Sequence, residues 1–173
     1  MPAAQPLPAL KKALGAERNH LRDGVGPVVI LGVGSELRSD DAVGLRVARS
    51  VARKGLPNVH AILGGPAPEN STGEIRALAP SHLIIVDAAD MHADPGTIRI
   101  LETRDLTGAS FATHGLPLSV ISDYLRSEIG CRITFVGIQP SSVAFGETLS
   151  PRAEEAARSL VEVLSECLSA QVD

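Results

Sequence analysis

The stretch Val28 to Val33, VVILGV, is a short unbroken apolar run rich in β-branched residues, closed by glycine and followed at once by a different period. Such a run reads as a strand buried on both faces, the kind that parallel sheets use. From Asp41 the spacing lengthens. Val43, Val47 and Val51, with Ala48 and Ala52, fall on one helical face, and Arg46, Arg49 and Arg53 fall on another. Strand, tight corner and helix in that order commit the chain to an α/β architecture, and the pattern recurs downstream.

VHAIL (Val59 to Leu63) reads as a second strand ending at Gly64-Gly65, and PAPENSTGEIRAL as a loop with a short helix. In HLIIVDAAD the apolar run Leu83 to Val86 breaks into Asp87 and Asp90, so carboxylates are expected where this third strand ends. GTIRIL alternates, as a fourth and more exposed strand at an edge would. Leu118, Ile121, Leu125 and Ile129 share a helical face entered through Pro117 and stopped by Gly130, and RITFVGIQP is a fifth strand. The last helix takes Ser150 as N-cap and Pro151 as its first residue, with Glu154 and Glu155 in the first turn where the dipole favours them. Its inward face is Ala157, Leu160, Val161, Leu164 and Leu168. The expected fold is α/β: an open, mostly parallel twisted sheet of about five strands sandwiched between helices, with room for one antiparallel edge.

A chain of 173 residues holds one domain with a substantial core. Aromatics make up 2% of a sequence that is 44% hydrophobic, so that core is aliphatic. Residues 1–27 carry several prolines and a weak helical pattern through Leu7, Leu10, Leu14 and Leu21; they read as an N-terminal arm, partly helical or flexible. Residues 28–173 read as the single α/β domain. A net charge of -4 and a pI near 5.7, with no basic stripe, argue against nucleic acid as a partner. The chain has neither the apolar segment of a signal peptide nor a run long enough to span a bilayer, so no membrane insertion and a cytoplasmic location are expected. Cys131 and Cys167 form no CxxC and sit in apolar patterns, which makes them small core hydrophobes in a reducing compartment.

Ligands of open α/β sheets bind beyond the carboxyl ends of the strands. Asp40 or Asp41 after the first strand, Asp87 or Asp90 after the third, and His114 before the helix entered at Pro117 are the residues placed to converge there. An ionised carboxylate at the rim of a core needs a hydrogen bond, a counter-charge or a cation, which gives Asp87 a functional reading as strong as a capping one. Capping accounts for one of Asp40 and Asp41 but not for both. Two carboxylates and an imidazole suit a borderline divalent ion such as nickel or zinc and leave coordination positions open. His20, His60, His82 and His92 read as structural or surface histidines. Leu37 stands where a third glycine would complete a dinucleotide fingerprint, and no Walker A, HExxH or GxSxG occurs.

GVGSELRSDDAVG, GGPAPEN, LIIVDAADM, THGLPL and GIQP, in this order, resemble the hydrogenase maturation proteases, the endopeptidases that trim the C-terminus of the large subunit of nickel-iron hydrogenases. The resemblance runs from about Val28 to Leu168 and is closest to the branch serving formate-hydrogenlyase-type hydrogenases. It implies a sheet of about five strands between helices. It also implies metal contacts from the second acidic residue of the D-[DE] pair, the Asp ending the VD strand and the His of the TH loop, here Asp41, Asp87 and His114. Two positions depart from the family: Ser35 stands where Asn is usual, and Leu63 where an Asp is often found before Gly-Gly.

The function so implied is nickel-dependent removal of the C-terminal extension of a nickel-iron hydrogenase large-subunit precursor. The nickel arrives in the precursor itself, and zinc or cadmium can substitute in the site. The alternatives are a maturation factor that holds metal or precursor without cleaving, and another metal-dependent hydrolase on the same scaffold.

Overall fold

A computed structural model describes Pro8, Lys11, Lys12 and residues 26–102, 110–111 and 117–169; of the expected N-terminal arm only those first three residues with Gly26 and Pro27 are included. Strand β1 (Val28–Val33) is followed by a short 3-10 turn (Ser39–Ala42) and helix α1 (Val43–Lys54). Then come β2 (Val59–Gly65), a second 3-10 turn (Pro68–Ser71), α2 (Thr72–Leu78), β3 (His82–Asp90), β4 (Ile98–Leu101) and the two-residue β5 (Ser110–Phe111). Helix α3 (Leu118–Ile129), β6 (Arg132–Ile138) and α4 (Pro151–Ser169) complete the described chain.

The sheet runs β2-β1-β3-β6-β4, and β5 pairs with the end of β3 off this path. The pairs β1-β2, β1-β3 and β3-β6 are parallel, whereas β4 runs antiparallel on β6 and forms one edge. The expected open, mostly parallel sheet with one antiparallel edge is therefore present, with β5 as an added strand. Side chains of successive strand residues leave opposite faces. Val28, Ile30, Ile84, Val86, Val136 and Ile138 meet α1 and α4 on one side, while Val29, Leu31, Leu83, Ile85 and Phe135 meet α2 and α3 on the other. The cap foreseen at Ser150 is formed: its Oγ accepts from the Ala153 N–H at 3.2 Å.

The third strand differs from its sequence reading. It does not end at Val86 but runs on through Asp90, because β6 stays paired with it as far as Ala88-Ile138 while β1 leaves at Gly32-Val86. Asp87 is thus the first residue of β3 with no β1 partner, inside a strand rather than at its tip. This is also where the order of the sheet reverses. The chain leaves β1 through α1 toward β2, then crosses the other face through α2 to reach β3, so the crevice beyond the ends of β1 and β3 is a topological switch point.

No helix among the described residues is long and apolar enough to cross a membrane. Neither cysteine is in a disulfide, and Cys131 is buried in the core as expected.

Candidate functional site

The glycines around the first corner set how closely α1 approaches this crevice. A Cβ on Gly44, the second residue of α1, would lie 2.2 Å from the Val86 carbonyl oxygen and 2.4 Å from that of Val33. One on Gly32 would lie 2.3 Å from the Gly44 carbonyl oxygen, and one on Gly34 only 1.7 Å from that of Asp41. The loop spacing that fails as a nucleotide fingerprint is a packing device. It lets the 3-10 turn and the start of α1 settle directly on the ends of β1 and β3.

The result is that Asp41 and Asp87 are brought together in the interior, both buried. Asp41 Oδ2 accepts the Ser35 N–H at 2.9 Å, so its carboxylate is held by the main chain of the loop it follows. Ser35, one of the two departures from the family pattern, supplies a backbone donor there that does not depend on its side chain. Leu63, the other, is about half exposed at the end of edge strand β2.

Asp87 is 1% exposed, and neither of its carboxylate oxygens has a hydrogen-bond partner among the described residues. Burial raises its pKa well above the ordinary carboxyl value, and the negative charge of Asp41 raises it further; the nearby Ala88 N–H only partly opposes these effects. Native proteins seldom leave a buried carboxyl unsatisfied. Two buried carboxylates that repel each other, at a crevice where ligands of such sheets bind, are what a cation would relieve. His114, the third expected ligand, lies outside the described residues, and among those that are described no cluster of three metal-binding side chains occurs.

Asp40 does something the sequence did not reveal. It makes no side-chain cap on its own turn or on α1. Fully buried, it accepts the Ser150 N–H at 2.6 Å and Oγ–H at 2.8 Å and the Ser141 N–H at 2.7 Å, so it joins the first corner to the segment after β6. That segment is tied to the end of β3 by Gln139, whose Oε1 accepts the Met91 N–H at 2.7 Å and whose Nε2 donates to Asp90 at 3.3 Å. Asp90 is therefore a turn and bracing residue. Partners more than 100 positions away leave no local signature; the GIQP motif, where a polar residue follows directly on an apolar strand, was the available clue.

Residues 43–167 match the sequence model of HycI, the hydrogenase maturation proteases. The chain belongs to this family. Over 137 residues it is 37% identical to the hydrogenase 3 maturation protease of Escherichia coli K12, an alignment covering 79% of this chain and 87% of that one. It is 31% identical to the hydrogenase 2 maturation protease of the same organism over 135 residues, covering 73% and 81%. The crystal structure of HycI from Thermococcus kodakarensis KOD1, a NiFe hydrogenase maturation protease, superposes with a TM-score of 0.75 at 32% identity over 88% of this chain and 98% of that one. As a hydrogenase maturation protease the chain is a peptidase, and a hydrogenase precursor is its implied substrate.

His82 sits at the amino end of β3, the opposite end of that strand from Asp87. Its Nε2 is 2.8 Å from Thr134 Oγ1, and burial, aided by the positive charge of Arg132, pushes its pKa down to about 4. The histidine is neutral when folded but titrates near 6.5 when unfolded, so the unfolded chain binds more protons in between. Its stabilising share is complete above about pH 6.5 and is lost as pH falls toward 4, by roughly 2 kcal/mol between pH 7 and 5. Asp87, shifted upward, works in the opposite sense over this range. The His82 effect is read as the difference between wild type and His82→Gln in denaturant unfolding at pH 7 and pH 5, with the wild type expected to lose about 2 kcal/mol more on acidification. Equal losses in the two proteins would show that His82 protonates freely in the fold.

Proposed function

We propose that this hydrogenase maturation protease removes the C-terminal extension of a nickel-iron hydrogenase large-subunit precursor once nickel has been inserted, and that Asp41, Asp87 and His114 meet the precursor's nickel. The observation that carries this reading is the buried, unsatisfied carboxyl of Asp87 beside Asp41 at the switch-point crevice. The position of β5 supports including His114. Phe111 pairs with Ala89, two residues past Asp87, and His114 follows three residues later, within about 10 Å of extended chain.

The donor set fits a cation carried by the substrate. Two carboxylates and an imidazole from one protein leave coordination positions for ligands that the precursor brings. A divalent ion in such a place polarises a carbonyl or lowers the pKa of a water. The contribution of this chain is geometric and electrostatic. The Ser35 N–H fixes Asp41, the β3-β6 pairing fixes Asp87, and burial leaves the Asp87 carboxyl poorly solvated, so it gains most from a positive charge.

The test mixes the purified protein with nickel-loaded or nickel-free large-subunit precursor and follows loss of a C-terminal peptide by mass spectrometry. Cleavage is expected only of the nickel-loaded precursor. Equal cleavage of both forms would overturn nickel dependence, tight binding without any product would make the protein a holding factor, and turnover of small substrates alone would make it a different hydrolase.

A further inference from the structure

One carboxylate besides Asp87 is left unsatisfied. Glu69 is partly buried, and its Oε2, closed off from solvent, has no hydrogen-bond partner among the described residues. A buried carboxylate oxygen without a donor has lost its hydration and gained nothing in exchange, so native folds seldom keep one. Capping does not account for it: neither the 3-10 turn Pro68–Ser71 nor α2 after it has a side-chain cap. Metal binding does not either. Asp41, Asp87 and Glu69 are all described, and no three such side chains gather closely enough to hold an ion. Glu69 belongs to the GGPAPEN motif, which neither the first corner nor the carboxylate pair explains.

The fold puts Glu69 on the side of the sheet to which Asp87 points. Asp87 lies between Ile85 and Ala89 in the alternation of β3, and both of these belong to the core under α2 and α3. Glu69 stands three residues before α2, which packs on that same face through Ile75. It is also at the carboxyl end of the sheet. The Gly34 N–H donates to the Gly65 carbonyl at 3.0 Å, which joins the end of β2 to the loop whose next residue, Ser35, holds Asp41. Leu63 and Val86 pair with Gly32 from opposite sides, so β2 and β3 are about 10 Å apart there. The turn itself is braced. Pro68 is buried, the Asn70 N–H donates to the Ala67 carbonyl at 3.0 Å, and the Thr72 hydroxyl donates to the Glu69 carbonyl at 2.9 Å. A carboxylate held in this way is pre-organised for a donor that the fold does not supply.

The substrate of an endopeptidase is a polypeptide, which offers an N–H at every residue but proline. An extended chain covers about 10 Å in three residues, so a precursor met by Asp41 and Asp87 comes within reach of the β2 side of the crevice close to the bond to be cut. We propose that Glu69 is a substrate-binding residue whose carboxylate accepts an N–H of the hydrogenase precursor a few residues from that bond. This rests on the processing function proposed above and adds to it a contact that the metal site does not make.

The test compares wild type with Glu69→Ala and Glu69→Gln in cleavage kinetics on nickel-loaded precursor and in binding to the same precursor immobilised. Glu69→Ala is expected to raise both KM and Kd roughly tenfold or more, with kcat within about threefold of wild type and a thermal midpoint no lower. Glu69→Gln keeps an acceptor oxygen but no charge and so separates two sources of the N–H. Recovery of most of the loss identifies a main-chain amide, and a loss equal to that of Glu69→Ala identifies a cationic side chain. Unchanged KM and Kd in Glu69→Ala would overturn the contact while leaving the processing function standing. A large fall in kcat with KM intact, or a lowered thermal midpoint, would place the carboxyl in the chemistry or in the fold and overturn a binding role. Binding that depends on Glu69 without any cleavage by wild type would keep the contact and overturn the processing function. A wild-type protein that neither binds nor cleaves precursor would overturn both.

Discussion

Asp87→Asn is expected to slow removal of the precursor's C-terminal peptide by roughly a thousandfold or more, while the protein remains at least as stable as wild type. The two halves of this expectation share one cause. Asp87 is buried, its oxygens lack hydrogen-bond partners among the described residues, and the charge of Asp41 raises its pKa further. In the isolated protein this arrangement is a burden, and removing the ionisable group should stabilise the fold by about 1 to 2 kcal/mol. On the function proposed above the same carboxylate meets the precursor's nickel, and an amide, which carries no charge, would not replace it. Single-turnover cleavage followed by mass spectrometry measures the first half, and denaturant unfolding of the substrate-free protein the second. A variant that cleaves at the wild-type rate would remove Asp87 from the site. A variant that loses both activity and several kcal/mol of stability would show that the carboxyl is structural, held by contacts that the wild-type protein needs.

Local pattern carried the architecture a long way. The apolar run at Val28–Val33, the helical face of Val43, Val47 and Val51 and the Ser150-Pro151 start of α4 all specify their elements from neighbouring residues alone, and each element formed. Antiparallel β4 was readable because GTIRIL alternates as an edge strand does, whereas the continuation of β3 through Asp90 was not. The fate of Asp87, Ala88 and Ala89 depends on β6 staying paired after β1 has left, a contact between segments about 50 positions apart.

The site divides along the same line. That carboxylates would gather beyond the ends of the first and third strands followed from the architecture, and Asp41 and Asp87 are together there. The choice between Asp40 and Asp41 came only with the family resemblance. In the fold, partners remote in sequence, Ser141 and Ser150, occupy the Asp40 carboxylate and commit it to bracing. Sequence spacing gives the direction of neither side chain, and so could not separate the two.

The glycines of the first corner were legible as glycines but not in their purpose, and Gly34→Ala tests that purpose with a large expected effect. Gly34 has φ of +134°, a conformation that side-chain-bearing residues rarely adopt, and its added Cβ would fall 1.7 Å from the Asp41 carbonyl oxygen. The atom in the way is main chain, which cannot swing aside as a flexible side chain can. The 3-10 turn must therefore retreat, taking with it the Asp40 clamp and the placement of Asp41. Strain and overlap together should cost about 3 to 5 kcal/mol, and cleavage should fall at least a hundredfold even where the variant is folded. Gly73→Ala is the control. Gly73 lies in α2 with nothing within 4 Å of an added Cβ, so alanine there should be neutral or stabilising by about 0.5 to 1 kcal/mol. Denaturant midpoints and nickel-dependent cleavage, measured at a temperature where all three proteins are folded, separate the positions. If Gly34→Ala matched wild type in both, the 3-10 turn would have room to spare, and the close approach of α1 to β1 and β3 would not be what positions Asp41.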